Sequence, residues 1–373
     1  MAYLFLTWLL SPYFWLRLLL QKKRPLRRVL VINTAKIGDF VATRQVFAVL
    51  RSRLPDAEIR ALVHSVNVPL ARHMSSIDKV IPLPPGGYSG WKGKKWLWRL
   101  LADVDGVLVL SPNLSTFLAP FWAGVACRVS VLPDRRAGSV RLAYPFLSHG
   151  QSHQPGRLFR DTAMLALRGL SIASEGVEGD APLTIDSPGG RERVAEILPH
   201  DVSSLVGLGI GAGNRLKALT EAQLLQVVRG LLARTSATVV LIGSAPDQAC
   251  ATRLTEACGG VRIINAVGKF SLDELPELLR LLDCYLGVDS GVTYLADAVG
   301  IPVVDYMGPA DAEDQRPLGK LVRVIRSTEP CAPCSHSFDA PYKCHMGTRA
   351  CIVSAPLEQM VQAAVDILAD SCC

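Results

Sequence analysis

At 373 residues, 49% hydrophobic and 20% charged, the chain is long enough for two globular domains, each with its own buried core. The formal charge of +7, from 40 basic and 33 acidic residues, would suit nucleic acid if it were spread over a face. Residues 1–28 instead hold Arg17, Lys22, Lys23, Arg24, Arg27 and Arg28 and no acid, which leaves the rest nearly neutral and argues against a nucleic-acid partner.

The chain opens with MAYLFLTWLLSPYFWLRLLL, followed by the basic octet QKKRPLRR. A helix of that length reaches about 30 Å, close to the hydrocarbon thickness of a bilayer. Pro12 and Arg17 interrupt the apolar run, and Tyr3, Trp8, Tyr13 and Trp15 favour the membrane interface over a span. A secretory signal would carry its basic end first. Residues 1–28 therefore read as a monotopic or re-entrant anchor in the cytoplasmic leaflet, its basic flank on anionic headgroups. The alternative is a helix packed on the protein body or on a partner. Were the segment to span, the positive-inside rule would still keep everything after Gln21 in the cytoplasm.

Strands are expected at Val29–Asn33, Glu58–Val63, Lys79–Leu83, Gly106–Leu110 and Arg128–Leu132. One helix is expected over Phe40–Arg53, with others near Trp96–Leu101 and Leu114–Ala123. Gly, Ser and Asp gather from about 171 to 203 and mark a boundary. A second set follows, with strands at Leu205–Ile210, Thr238–Ile242, Val261–Ile264, Cys284–Val288 and Val303–Tyr306. The helices expected between them are Glu221–Ala233, Asp247–Ala257, Leu272–Leu282 and Gly291–Val299. This alternation predicts an α/β protein of two doubly wound domains, 29–185 and 186–355, with a closing helix and tail at 356–373. Ligands of such sheets sit beyond the carboxyl ends of the strands, so both halves are expected to face a cleft.

Neither a Gly-x-Gly-x-x-Gly turn nor a P-loop follows the first strand, no HExxH occurs, and no Ser-His-Asp hydrolase pattern is signalled. The first turn, Thr34 to Asp39, has a single glycine and places a carboxylate where a phosphate would normally sit. In the second half, Gly211-Ala212-Gly213-Asn214-Arg215-Leu216-Lys217 and Gly287-Val288-Asp289-Ser290-Gly291 leave strand ends as glycine-rich loops. Free N–H groups at a helix start, aided by Lys217, suit a diphosphate. The plainer reading is that Asp289 or Ser290 caps a helix and the glycines serve turns.

Several of these motifs recur together. Lys36-Ile37-Gly38-Asp39, Gly268-Lys269-Phe270-Ser271, Val288-Asp289-Ser290-Gly291-x-x-Tyr294, Gly300-Ile301-Pro302 and Met307-Gly308-Pro309-Ala310-Asp311 resemble, in order and spacing, the heptosyltransferases of glycosyltransferase family 9. The resemblance runs from about 29 to 368. It implies the GT-B architecture, an acceptor-binding first domain, a nucleotide-sugar-binding second domain and inversion at the anomeric carbon. By the same resemblance Asp39 would be the general base and Lys217 would hold the leaving diphosphate without a metal. An N-cap carboxylate is the bland use of Asp39. The donor would be held by Gly211, Gly213, Asn214, Lys217, Gly268, Lys269, Phe270, Ser271, Asp289, Ser290, Gly291, Val292 and Tyr294. The acceptor would be met by Lys36, Gly38 and Arg44.

Two departures stand out: Tyr294 where relatives usually have His, and Arg44-Gln45 where many have Leu-Pro. Arg44 is a candidate contact for an acidic or phosphorylated acceptor. The expected reaction moves heptose from ADP-heptose to a lipid-linked saccharide such as a lipopolysaccharide core precursor, at the cytoplasmic face of the bacterial inner membrane. A different nucleotide sugar, or an inactive sugar-nucleotide-binding scaffold, is the alternative. No cofactor is required by this chemistry. Cys331, Cys334, Cys344 and Cys351 have spacing that could build a structural zinc site, though a disulfide or free thiols fit equally. The terminal Cys372-Cys373 pair lacks a CaaX box.

Overall fold

The structure, a computed structural model, describes residues 2–21, 25–135, 138–174, 182–199, 202 and 204–370. Basic residues 22–24, part of the expected boundary and the terminal cysteine pair lie outside the described residues.

In chain order the first half carries α1 (Ala2–Leu19), β1 (Arg28–Asn33), α2 (Ile37–Ala42), α3 (Gln45–Arg53), β2 (Glu58–Val63), α4 (Val68–Arg72) and β3 (Lys79–Pro82). It continues with α5 (Gly90–Leu100), β4 (Gly106–Val109), α6 (Leu114–Ala123), β5 (Cys127–Leu132), β6 (His149–Ser152) and α7 (Phe159–Ala166). The second half opens with α8 (Pro188–Ile197), β7 (Leu205–Gly209), α9 (Glu221–Arg234), β8 (Thr238–Ile242), α10 (Gln248–Ala257) and β9 (Ile263–Asn265). Then come α11 (Leu275–Leu279), β10 (Cys284–Val288), α12 (Gly291–Ala298), β11 (Val303–Met307), β12 (Val322–Arg326), α13 (Ala350–Val353) and α14 (Leu357–Asp370).

The strands form two six-stranded parallel sheets, ordered β3-β2-β1-β4-β5-β6 and β12-β11-β10-β7-β8-β9. Renumbered within its own half, the second order is the first one reversed, so each sheet has the Rossmann order 3-2-1-4-5-6. The strand order turns back between β1 and β4 in one sheet and between β7 and β10 in the other. Ligands of doubly wound sheets bind at such switch points, beyond the carboxyl ends of the strands. The central strands are near-continuous apolar runs such as VLVI, TVVLI and CYLGV, fully buried, as parallel strands covered on both faces must be.

The contacts divide the chain into two compact units. One holds the described residues up to Lys36 and from Thr43 to 174; the other holds Ile37–Ala42 and the described residues from 182 onward. The single helix expected over Phe40–Arg53 is thus two helices, α2 and α3, broken at Thr43-Arg44. Thr43 is buried, and Asn33 at the end of β1 donates to its hydroxyl at 2.8 Å, which ties this point of the chain to the first sheet.

Other departures have local causes. β6 and β12, not anticipated, are edge strands, and their polar residues dilute the apolar signal that marks a buried strand. β9 begins two residues later than expected because Gly259, Gly260 and Arg262 all adopt positive φ (69°, 70° and 54°) and prolong the turn. The expected Leu272–Leu282 helix contracts to the five residues of α11.

In the first unit α1 packs on α6. Leu4, Thr7 and Phe14 are its buried side chains, and Trp122 Nε1 donates to the Thr7 hydroxyl at 2.8 Å. Pro12 removes the N–H that would bond the Trp8 carbonyl, and the Ser11 hydroxyl takes that carbonyl instead at 2.9 Å. The second unit is closed by α14, whose buried side chains are Met360, Val361, Ala363, Ala364 and Ile367. It lies close against α9, where a Cβ on Gly230 would sit 3.1 Å from a Val361 methyl.

Candidate active site

Three chain segments of the second unit converge at the carboxyl ends of β7 and β10. After β7 the backbone turns through Gly211–Lys217; after β10 it passes Asp289 and Ser290 into α12; and α2 lies across the start of α12. Two glycines permit that crossing. A Cβ on Gly291 would stand 2.6 Å from Ile37 Cβ and 3.3 Å from the Gly38 nitrogen. One on Gly38 would stand 3.2 Å from the Tyr294 ring. Gly291 is therefore required by the helix contact itself, whether or not a phosphate approaches. Ile37 and Gly38 close one side of the α12 start, while Ser290, Gly291 and Val292 stay partly exposed. Ser290 makes no side-chain cap to α12; its hydroxyl pairs with Thr293 at 3.0 Å.

Asp39, next to Gly38, is thereby held among charged groups. Its pKa is raised above the ordinary carboxylate value, first by burial and further by Asp289 and Asp314. A hydrogen bond from the Gln315 side chain and the charge of Lys217 oppose the rise without cancelling it. Lys217 forms an ion pair with Asp289 Oδ2, both side chains being largely buried. Burial works against the ammonium, but Asp289, Asp39 and Asp305 outweigh it, and its pKa lies above the usual lysine value. The other Asp289 oxygen accepts from the Tyr294 hydroxyl at 3.1 Å. Burial, reinforced by the surrounding carboxylates, pushes that phenol well above its ordinary value, so Tyr294 remains a neutral donor where an imidazole could titrate.

The remaining expected donor residues are less concentrated. Gly211 backs onto the buried Asp247, whose Oδ2 would be 2.4 Å from a Cβ there, whereas Gly213 faces open space. Asn214 spends its side chain on backbone groups: its amide donates to the Pro341 carbonyl at 2.8 Å and its carbonyl accepts from Leu216 N–H at 3.1 Å. Gly268 adopts φ 69° against Ala245 beyond β9, followed by exposed Lys269, partly buried Phe270 and exposed Ser271. Lys36 and Arg44 flank α2 in the chain and belong to the first unit.

Three acids and one amide of this neighbourhood were not singled out in the sequence. Asp314 and Gln315 follow β11, where the polar run Asp311–Gln315 was the available signal. Asp247 accepts from the Ser244 backbone and hydroxyl at 3.0 and 2.8 Å and pairs with Arg215 at 3.1 Å. Asp305 lies inside β11, fully buried, with neither carboxyl oxygen hydrogen-bonded. Burial, then Asp289, drives its pKa well above the ordinary value despite Lys217.

Of the three states that the spacing left open for Cys331, Cys334, Cys344 and Cys351, the described cysteines are free thiols. Among the described residues no group of three or more His, Cys, Asp or Glu side chains is placed to hold a metal ion. The Cys344 thiol is instead held by backbone amides, Arg349 foremost, which lower its pKa. Burial pushes Cys334 up, and Cys351 up to about 11.

The model of glycosyltransferase family 9 (heptosyltransferase) matches residues 222–345. Lipopolysaccharide heptosyltransferase 2 of Escherichia coli K12 is 25% identical over 328 residues, covering 80% of this chain and 88% of that protein. The solved E. coli ADP-heptose lipopolysaccharide heptosyltransferase II superposes with a TM-score of 0.72 at 18% identity, over 93% of this chain and all of the other. A family 9 glycosyltransferase from Veillonella parvula gives 0.73 at 19% identity, over 94% and 99%. The chain has the paired Rossmann sheets of the GT-B fold, and these matches make it similar to the heptosyltransferases of glycosyltransferase family 9.

Proposed function

We propose that this glycosyltransferase moves heptose from ADP-heptose to a lipopolysaccharide core acceptor at the cytoplasmic face of the inner membrane. The observation that carries the reading is the meeting of Asp39 with the Lys217–Asp289 pair at the switch point of the second sheet. In this reading Asp39 takes the proton of the acceptor hydroxyl as that oxygen attacks the anomeric carbon. The bond from that carbon to the diphosphate oxygen breaks on the opposite face, which inverts the centre, and ADP leaves with the electron pair. Lys217 stabilises the charge on the departing diphosphate. Asp289, with Tyr294 and Lys217 on its two oxygens, is oriented to accept from donor-sugar hydroxyls. A base whose pKa is raised toward working pH is better matched to this step than an ordinary exposed carboxylate. Lys36, Gly38 and Arg44 remain the proposed acceptor contacts. The loops Gly211–Lys217, Gly268–Ser271 and Asp289–Val292 are the proposed donor contacts.

Thermal stabilisation by ADP-heptose, set beside UDP- and GDP-sugars, tests the donor. Release of ADP in the presence of a core acceptor tests the reaction. Asp39→Asn should keep the stabilisation and lower turnover by about 10²–10⁴-fold, the usual worth of a general base. Equal turnover by that variant would refute the assignment of the base, and stabilisation by another nucleotide sugar alone would refute the donor.

A further inference from the structure

Apart from Arg17 in its last turn, α1 carries apolar side chains on every side but has a protein partner on only one. Its buried residues Leu4, Thr7 and Phe14 follow a helical period, with partly buried Ser11 and Leu18 between and beyond them, and face α6. At 100° per residue, Phe5, Leu9, Tyr13, Leu16 and Leu20 fall on the opposite side. They are 57–76% exposed. A helix that is hydrophobic on every face belongs in a core or in lipid, and a continuous exposed apolar stripe of this length is not what a soluble surface carries.

The inner face is firmly held. Phe14 stacks between Phe121 and Trp122 with centroids 5.5 and 5.0 Å away, Trp15 meets Phe121 at 5.3 Å, and Trp8 meets Phe146 at 4.9 Å. Trp8 also donates to the Leu142 carbonyl at 3.2 Å. To cross a bilayer alone, α1 would have to break every one of these contacts. Lying in the plane of the membrane breaks none.

The surroundings supply the charge. α5, which also packs on α6, has no acid and exposes Trp91, Lys92, Lys95, Trp98 and Arg99. It adjoins α1 directly, for Lys94 Nζ lies 5.6 Å over the Tyr3 ring and Trp122 touches both Tyr3 and Trp98. Among the described residues none of Lys92, Lys94, Lys95 or Arg99 is in an ion pair. An apolar stripe beside lysines and interfacial tryptophans complements the acyl boundary and the anionic headgroups of a lipid surface.

We infer that the outer face of α1 and the basic face of α5 form one composite docking surface, on which the first unit rests against an anionic phospholipid bilayer with α1 in the membrane plane. The inference deepens the membrane-surface part of the function proposed above and is independent of which sugar is transferred.

Flotation of the full chain with vesicles of phosphatidylcholine, with and without phosphatidylglycerol, provides the test. The wild type should bind the anionic vesicles more tightly, with the difference fading as salt is added. Leu9→Glu combined with Leu16→Glu should lower binding by at least about tenfold, since two side chains lose their lipid burial. Replacing Lys92, Lys95 and Arg99 by Gln should weaken binding to the anionic vesicles by roughly fivefold per charge and leave the neutral ones unaffected. Both variants should keep the wild-type melting temperature and the lipid-free stabilisation by ADP-heptose. Wild-type vesicle binding by the Leu9/Leu16 variant would overturn the inference. A tag fused before residue 2 and reachable from the periplasm of intact cells would also overturn it, since α1 would then span. A lipid-free dimer that the Leu9/Leu16 variant converts to monomer, with vesicle binding unchanged, would assign the stripe to a second copy. If ADP-heptose fails to stabilise the wild type while the vesicle results hold, the donor reading fails and this one stands.

Discussion

Replacing Gly291 by Ala is the sharpest probe of how α2 is seated. The added Cβ would lie 2.6 Å from Ile37 Cβ and 2.9 Å from its Cγ2, where ordinary contact begins at 3.4 Å. The shortfall, 3.4 minus 2.6, is about 0.8 Å. Ile37 Cβ is fixed to the backbone and cannot rotate aside, so α2 itself has to shift. Overpacking of this kind costs roughly 1–3 kcal/mol. Because Asp39 rides on the same helix, a shift near 1 Å should lower turnover by about a hundredfold.

Two glycines calibrate the effect. A Cβ at Gly38 meets only the edge of the Tyr294 ring at 3.2 and 3.4 Å, so Gly38→Ala should cost less. At Gly213 nothing lies within 4 Å, and Gly213→Ala should be near neutral. The Ile37→Gly change removes both offending atoms and should restore much of the stability and rate of Gly291→Ala. Thermal melts and steady-state ADP release measure all four variants. A Gly291→Ala protein as stable and active as Gly213→Ala would refute the packing argument, and with it the reason Asp39 stands where it does.

Three further outcomes follow from the charges. Gln315→Leu removes a hydrogen bond that lowers the Asp39 pKa, so that pKa should rise; if Asp39 is the base, as proposed, it is then unprotonated only at higher pH, and the ascending limb of kcat/KM against pH moves alkaline. A reduced plateau with an unmoved limb would contradict it. Asp305 has a folded pKa above its unfolded one, so wild-type stability falls as pH rises from the ordinary carboxylate range toward the folded value. Asp305→Asn should match wild type in acid and gain on it with rising pH, by at most about 1.4 kcal/mol per unit, in denaturant melts; a constant difference would remove the buried-acid argument. Tyr294→Phe deletes one of the two groups orienting Asp289 and should raise KM for the donor while Asp39's pH limb stays in place. An unchanged KM would show that Lys217 alone holds Asp289.

Sequence by itself determined most of the architecture. Runs such as Thr238–Ile242 and Cys284–Val288 are apolar along their whole length because both faces of a parallel strand are covered, and that signal is local. The glycines beyond β7 and β10 and the unusual carboxylate at Asp39 were legible for the same reason. What the tertiary structure decided is which of these meet. Gln315, Asp314 and Asp305 are remote in sequence from Asp39 and Lys217, and only the switch point of the second sheet brings them together. The break at Thr43-Arg44 was invisible because the apolar spacing of a helix runs on through it, while the bond from Asn33 to the Thr43 hydroxyl is visible only in the fold. The four cysteines teach the converse: their spacing allows a metal, but among the described residues the fold builds no group of three ligating side chains from them. Likewise α1 reads from sequence as either a membrane anchor or a helix packed on the protein body. Only packing on α6 divides it into a face already satisfied by protein and a face that is not.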